Sequence, residues 1–502
     1  MLFLNTWTCS AFISVIRILR QQKLYFSLVK QTIEIFPSER QKLFDQLADK
    51  LETAYHFNRK VVSFQSNKEE PLYRWFKYKE GFSSTLVKYF LTEYSSKAGK
   101  VLDPFAGIGT TLFAGQELGW KSYGVELLPV GSFVIKAREA TNGIDLVLLK
   151  NTIANIWNEV KKIKQPKKHI NHILITEDAF PDETDEWLNK YLTYCASVKD
   201  EKIKTILQFA AFCVLEEISF TRKDGQYLRW DYRSKRNLPG KPFDIGTIYP
   251  FQEAMKKKFS QIISDLSHGK SDTLFEQFET KNHKQYPVKA IEGSCLEELP
   301  KLEDDFFDFI ITSPPYCNRY DYTRTYALEL VYLGCNNEQV RSLRQAMLSC
   351  TVENKEKVDY LNQFYSAAGK QKTFDRVMEV YNNSNAMTEV NSILDELNKL
   401  EKLNNNNVPR MVKNYFLEMC FVIYEMSRVT KKKGYCVMVN DNVRYGGEEI
   451  PVDLILSEFA ENFGFNINKI FVLPRGKGNS SQQMGNYGRT EVRKCIYLWQ
   501  KR

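Results

Sequence analysis

Apolar positions along the chain fall into two spacing regimes, and their changeover points outline the architecture. Leu86, Val87, Phe90 and Leu91 recur at helical spacing behind Ser83-Ser84-Thr85, a cluster suited to capping a helix start. From Gly99 the pattern changes to a short apolar run, Val101-Leu102, then the loop Asp103 to Gly109. A helical stretch from Thr110 to Leu118 follows, with Gly119 as its stop, and then a second apolar run from Ser122 to Val125. Strand, glycine loop, helix and strand in this order predict a β-α-β unit, and hence a parallel sheet. Helical spacing dominates from about residue 140 to 286. Strand character returns at Val288 to Glu292, passes through Gly293-Ser294-Cys295 and an acidic helix, and resumes from Phe306 to Ile311. A second helical stretch runs from Tyr320 to Val429. The chain then predicts a strand from Gly434 to Val439, a helix from Pro451 to Phe463, and two closing strands, Phe465 to Leu473 and Thr490 to Trp499, as an antiparallel hairpin. The expected class is α/β, with large helical insertions.

These breaks predict four segments. Residues 1–70 form an N-terminal helical extension. Residues 71–145, 287–330 and 430–502 together form the sheet-bearing domain. Residues 146–286 are a first helical insertion and 331–429 a second. A chain of 502 residues is too long for one compact core. Its net charge of +9 makes the surface lean basic, which suits a polyanionic partner. Ten cysteines without paired spacing and five scattered histidines offer no zinc pattern, so no metal is expected and the thiols read as those of a reduced, cytoplasmic protein. Met1 to Ile18 is apolar but broken by Asn5, Thr6, Thr8, Ser10, Ser14 and Arg17. It predicts a packing helix rather than a leader or membrane anchor.

Two motifs carry chemistry. The loop Asp103-Pro104-Phe105-Ala106-Gly107-Ile108-Gly109-Thr110-Thr111 sits at the carboxyl end of a predicted strand, where open α/β sheets bind ligands. Gly107 and Gly109 permit close approach of backbone to ligand. Glu126 ends the next strand roughly 20 residues on, the distance at which an acid commonly takes ribose hydroxyls. The loop lacks the lysine of a phosphate-binding loop, which favours a nucleoside without pyrophosphate. The second motif, Ser313-Pro314-Pro315-Tyr316, follows the strand that ends at Ile311. Its prolines fix the backbone and remove two donors, leaving carbonyl acceptors. The Ser313 side chain and the Pro314 carbonyl could accept both protons of a flat exocyclic amine, favouring a more tetrahedral, nucleophilic nitrogen. Tyr316 could stack on a base flipped out of its duplex.

Together these motifs resemble the S-adenosylmethionine-dependent DNA amino-methyltransferases of restriction-modification and phage-defence systems. The resemblance covers residues 71–145, 288–330 and 430–499, and implies a Rossmann-like methyltransferase sheet. It implies S-adenosylmethionine as cofactor, held by Asp103, Phe105, Ala106, Gly107, Gly109, Thr110 and Glu126. Tyr78 to Phe90 is similar to the family's element that contacts the methionine end of the cofactor, with Thr85 at the helix start. Ser294 stands where the family often carries Asp near the adenine ring. Ser313, Pro314, Pro315 and Tyr316 are the implied catalytic tetrad. Serine at its first position leans, within the family, toward the N4 amine of cytosine; Asp or Asn leans toward N6 of adenine. Double-stranded DNA is the implied partner, with room for a cognate restriction endonuclease and none for a membrane.

A DNA surface is sought in Thr221 to Lys241, where Arg222, Arg229, Arg233 and Arg236 interleave with Tyr227, Trp230 and Tyr232 around a turn at Asp224-Gly225. Arg475, Lys477 and Arg489 border a second, glycine-studded candidate. Three other readings compete: an N6-adenine enzyme, an RNA guanine-N2 methyltransferase, and a non-catalytic DNA-recognition subunit. A 5-cytosine methyltransferase is set aside because no cysteine follows a proline.

Overall fold

The computed structural model describes residues 38–58, 60–224, 227–236, 241–267, 286–474 and 491–502. In chain order its strands are β1 (Leu51–Thr53), β2 (Lys100–Asp103), β3 (Lys121–Glu126), β4 (Thr221–Asp224), β5 (Tyr227–Trp230) and β6 (Lys289–Glu292). They continue as β7 (Phe307–Thr312), β8 (Thr430–Asp441), β9 (Val443–Tyr445), β10 (Glu448–Ile450), β11 (Phe465–Val472) and β12 (Lys494–Lys501). Eight of these form one sheet in the spatial order β1-β11-β12-β8-β7-β2-β3-β6. β12 runs antiparallel to both of its neighbours, and every other pairing is parallel. This is the α/β arrangement with a C-terminal antiparallel hairpin that the sequence pattern predicts, and the Rossmann-like sheet that the resemblance implies.

The chain climbs from β2 outward to β3, then comes back to lay β7 on the other side of β2. Strand order reverses there, and a crevice opens beyond the carboxyl ends of β2 and β7. Alternating side chains divide between two hydrophobic layers. Leu102, Ile310, Cys436, Met438, Tyr497 and Trp499 join one cluster, whereas Val101, Phe309, Val437, Val439, Ile496 and Leu498 join the other. The period-two alternation of a strand places them so.

Three features differ from the sequence reading. Residues 1–70 read as helical, yet Leu51–Thr53 pairs with Ile470–Val472 at the sheet edge. A three-residue strand is too short to show a period. The described residues of segment 146–286 hold four helices, Leu146–Lys161, Asp182–Ser197, Glu201–Val214 and Phe251–Ser267, and also the hairpin β4–β5. The third concerns the second helical stretch, whose last helix, Val408–Val429, is almost wholly buried against the sheet. It forms part of the crossover from β7 to β8 and shares the sheet's core. The expected N-terminal packing helix lies outside the described residues. Among the described residues no helix is long and apolar enough to cross a membrane.

The hairpin is tied to the rest by a buried ion pair. Lys223 of β4 bonds Glu329 of helix Ala327–Tyr332, and both side chains are nearly inaccessible. The Lys223 ammonium also lies 4.5 Å from the Tyr326 ring centre and 5.2 Å from that of Phe76. Removing one partner of such a pair strands a buried charge, which costs about 3–5 kcal/mol, whereas apolar replacement of both is close to neutral. Glu329→Ala should therefore accelerate amide exchange in β4 and β5, and Lys223→Met combined with Glu329→Leu should restore most of the protection.

Candidate active site

The loop after β2 takes its shape from two buried carboxylates. Asp103 Oδ1 accepts from the Phe105 amide at 3.0 Å and from the Thr312 hydroxyl at 2.6 Å, while Oδ2 accepts from the Thr111 hydroxyl at 2.8 Å. One side chain thus joins the loop, the start of helix Thr110–Glu117 and the end of β7. Burial pushes its pKa up to about 6 against the pull of those three hydrogen bonds. Glu126, at the end of β3, accepts from the Gly107 amide and from the Leu128 amide, each at 2.7 Å. Burial raises it to about 8, with the Leu128 and Gly107 amides opposing and the Asp103 charge adding.

Close backbone approach accounts for the glycines. Gly107 adopts φ +52°, and a Cβ there would lie 3.2 Å from Tyr78 Cε1. A Cβ at Gly131 would come 2.3 Å from the Gly107 carbonyl oxygen and 2.8 Å from Glu126 Cγ. Gly109, at φ +78°, instead backs onto Ile135 and Phe113 and serves loop geometry rather than the cleft wall.

These elements line one cleft. Its walls include Tyr78, Asp103, Phe105, Ala106, Gly107, Thr110, Glu126 and Ser294 together with Ser313 and Pro315 of the tetrad. The glycine loop and the tetrad, some two hundred residues apart in sequence, therefore share one cavity. Thr85 does not line it. Ser83 caps the helix Ser84–Glu93 by accepting from the Leu86 amide, Ser84 donates to Glu70, and Gly81 and Phe82 form the wall instead. The Ser294 hydroxyl donates to the Ala346 carbonyl at 3.1 Å.

A second cavity opens on the far side of Ser313. Tyr316, Val439, Asp441, Lys79 and Lys494 line it, and Glu80, Gly81, Phe82 and Ser313 belong to both cavities. The Ser313 hydroxyl lies 3.1 Å from the Val439 carbonyl and 3.3 Å from the Tyr316 hydroxyl, donating in this geometry. A hydroxyl has one hydrogen, so its oxygen lone pairs remain as acceptors. Burial holds the Tyr316 phenol far above its ordinary pKa; Pro314 is buried and is not among the residues lining either cavity.

Tyr78, Glu80 and Gly131 were not singled out from the sequence. Tyr78 and Glu80 fall within the Tyr78-to-Phe90 element, and the signal for Gly131 would have been a glycine in the first turn of a helix that begins with Pro129.

The basic hairpin segment is largely self-satisfied. Arg222 donates to the Glu216 and Thr221 carbonyls. Arg233 forks onto buried Asp231 and reaches the Gly246 carbonyl. Arg236 bonds the Leu174 and Glu177 carbonyls and lies 3.8 Å over the Trp230 ring. Arg229 pairs with Asp224 at 3.2 Å and stays exposed. Arg475, Lys477 and Arg489 lie outside the described residues. Their flanking neighbours Leu473 and Lys494 border the second cavity.

Comparison with known proteins identifies relatives of this chain. A family model described as DNA methylase matches residues 13–130. The type II methyltransferase M.AvaI of Nostoc sp. is 45% identical over 466 residues, covering 91% of this chain and 92% of its own. M.BsoBI of Geobacillus stearothermophilus is 40% identical over 476 residues, 92% of each chain. M.MvaI of Kocuria varians is 22% identical over 478 residues, 90% of this chain and 96% of its own. No solved structure matches. Near-full-length identity at this level, on a sheet that brings the glycine loop and the Ser-Pro-Pro-Tyr tetrad to one cleft, makes this chain a member of the type II DNA amino-methyltransferases.

Proposed function

We propose that the chain transfers a methyl group from S-adenosylmethionine to the N4 amine of cytosine in double-stranded DNA. The observation that carries this reading is the position of Ser313, in the common wall of two cavities with its lone pairs left as acceptors. The first cavity fits the nucleoside end of the cofactor. Gly107 leaves backbone bare at the cavity wall, and Glu126 stands ready there for ribose hydroxyls. Bound there, S-adenosylmethionine supplies an electrophilic methyl on a sulfonium.

The second cavity would take the flipped base against the Tyr316 ring. Ser313 and the Pro314 carbonyl accept from the amine's two hydrogens and draw its lone pair out of conjugation. A serine hydroxyl accepts more weakly than a carboxylate, which supports cytosine N4 over adenine N6. Target recognition is assigned to residues 146–286, where the half-exposed Arg229 and Trp230 remain the DNA-facing candidates. Arg222, Arg233 and Arg236 serve mainly to hold the segment's shape. Restriction-modification is the setting that the relatives' type II designation supports, with a cognate endonuclease as the expected companion activity.

Mass spectrometry of digested product DNA tests the base. N4-methylcytosine is expected; N6-methyladenine would overturn the reading of Ser313, and no methylated amine would overturn the role of the tetrad. Tyr316→Ala should lose about 1–3 kcal/mol of base stacking, roughly 5- to 150-fold in kcat/KM for DNA. Its cofactor affinity should stay close to wild type.

Cofactor binding should also depend on pH in a stated direction. The ionised Glu126 carboxylate is the better acceptor for ribose hydroxyls, but below pH about 8 it carries a proton in the free protein. Binding must then expel that proton. S-adenosylmethionine affinity, measured by calorimetry, should rise with pH until about 8, by at most about tenfold per pH unit, and level off above it. Glu126→Gln should bind more weakly and lose this pH dependence.

A further inference from the structure

Four residues, Glu80, Gly81, Phe82 and Ser313, belong to the walls of both cavities, and only Glu80 among them is ionisable. We propose that Glu80 is the counter-ion of the positive charge that passes from the methyl donor to the base amine. The proposal rests on reading the first cavity as the donor site and the second as the base site.

The charge arithmetic of the reaction calls for such a group. As the amine attacks, the N–C bond forms and the C–S bond breaks, its electron pair staying on sulfur as a neutral thioether. Positive charge appears on nitrogen, and the proton that the alkylated amine sheds goes to water. A cation is therefore present near the boundary between the cavities before, during and after the step. Leaving it uncompensated among Tyr78, Phe82, Pro315 and Tyr322 would be costly. Asp103 and Glu126 are poor candidates, since both are tied to the loop backbone, Asp103 by the Phe105 amide and Glu126 by the Gly107 and Leu128 amides. Asp441 lines only the second cavity and is paired with Lys494 at 2.6 Å.

Glu80 is held in place as a counter-ion needs to be. The Tyr320 hydroxyl donates to Oε1 and the Tyr326 hydroxyl to Oε2. Burial, and then the nearby Glu80 charge, raise the pKa of both phenols, so they remain donors. Tyr326 stacks on Tyr78 with ring centres 5.2 Å apart, and Tyr78 packs beneath Gly107. The carboxylate is thus fixed relative to the glycine loop. Tyr320 and Tyr326 are positioning residues, acting through Glu80.

Binding of a cationic and a neutral ligand separates this role from a structural one. Calorimetry on wild type and Glu80→Gln would compare S-adenosylmethionine with S-adenosylhomocysteine, which lacks the sulfonium charge. Glu80→Gln should weaken S-adenosylmethionine by about tenfold or more relative to S-adenosylhomocysteine, because only the former loses an ionic partner. Equal changes for the two ligands, or none, would overturn the proposal while leaving the donor site intact. Wild-type protein that bound neither ligand would overturn the donor reading and this proposal with it. Should Glu80→Gln fail to fold, wild type gives the answer through an analogue with a tertiary amine in place of the sulfonium. The carbon-13 shift of its N-methyl group should show the bound amine staying protonated to higher pH than the free one. A bound amine that loses its proton more readily than the free one would overturn the counter-ion role.

Discussion

Everything at the cleft depends on one buried carboxylate. Asp103 ends β2, and its two oxygens accept hydrogen bonds from the loop amide of Phe105, from Thr111 on the following helix and from Thr312 at the end of β7. The Thr111 hydroxyl also approaches the Ile311 carbonyl. Burying that carboxylate is expensive, and three donors offset the cost only if all three elements are in place together. The same bonds that satisfy Asp103 therefore set the distance between the glycine loop and Ser313. A methyl transfer between two bound molecules needs that distance held to a fraction of an ångström.

Glu126 performs a parallel task one strand away. It ties the Gly107 and Leu128 amides, and Gly131 is bare because the Gly107 carbonyl occupies the space a side chain would need. The loop is thus shaped from below by side chains of β2 and β3 while its upper face is left to the cleft. The close packing of Tyr78 under Gly107, and of Tyr326 on Tyr78, carries this rigidity toward the helical segment that follows the tetrad.

The segment from Thr221 to Lys241 shows why a basic, aromatic run is ambiguous. Its charges match a nucleic-acid surface in composition, yet most have near-neighbour acceptors, and Lys223 is buried altogether. Carbonyls and carboxylates that satisfy these cations come from residues up to about sixty positions away on the same insertion, and in the case of Glu329 from beyond it. A count of positive residues contains none of that information.

The α/β class, the strand–loop–helix–strand unit around Asp103, the tetrad at the end of β7 and the closing hairpin were all legible in the chain, because each depends on spacing within a few neighbouring residues. Phe306 to Ile311 reads as a buried strand from its own apolar run, Val101-Leu102 from the glycine loop and helix that follow it, and two prolines after a strand restrict the backbone by themselves. Tertiary structure alone decided the rest. Leu51–Thr53 is a strand only because β11 lies beside it. Helix Val408–Val429 joins the sheet's core only because the crossover from β7 to β8 lays it there. Glu80 meets the hydroxyls of Tyr320 and Tyr326 across some 240 residues of chain. Sequence periodicity reports which face of an element is apolar. Which buried carboxylate meets which hydroxyl depends on how faces from distant elements come together, and that is settled only when the chain closes.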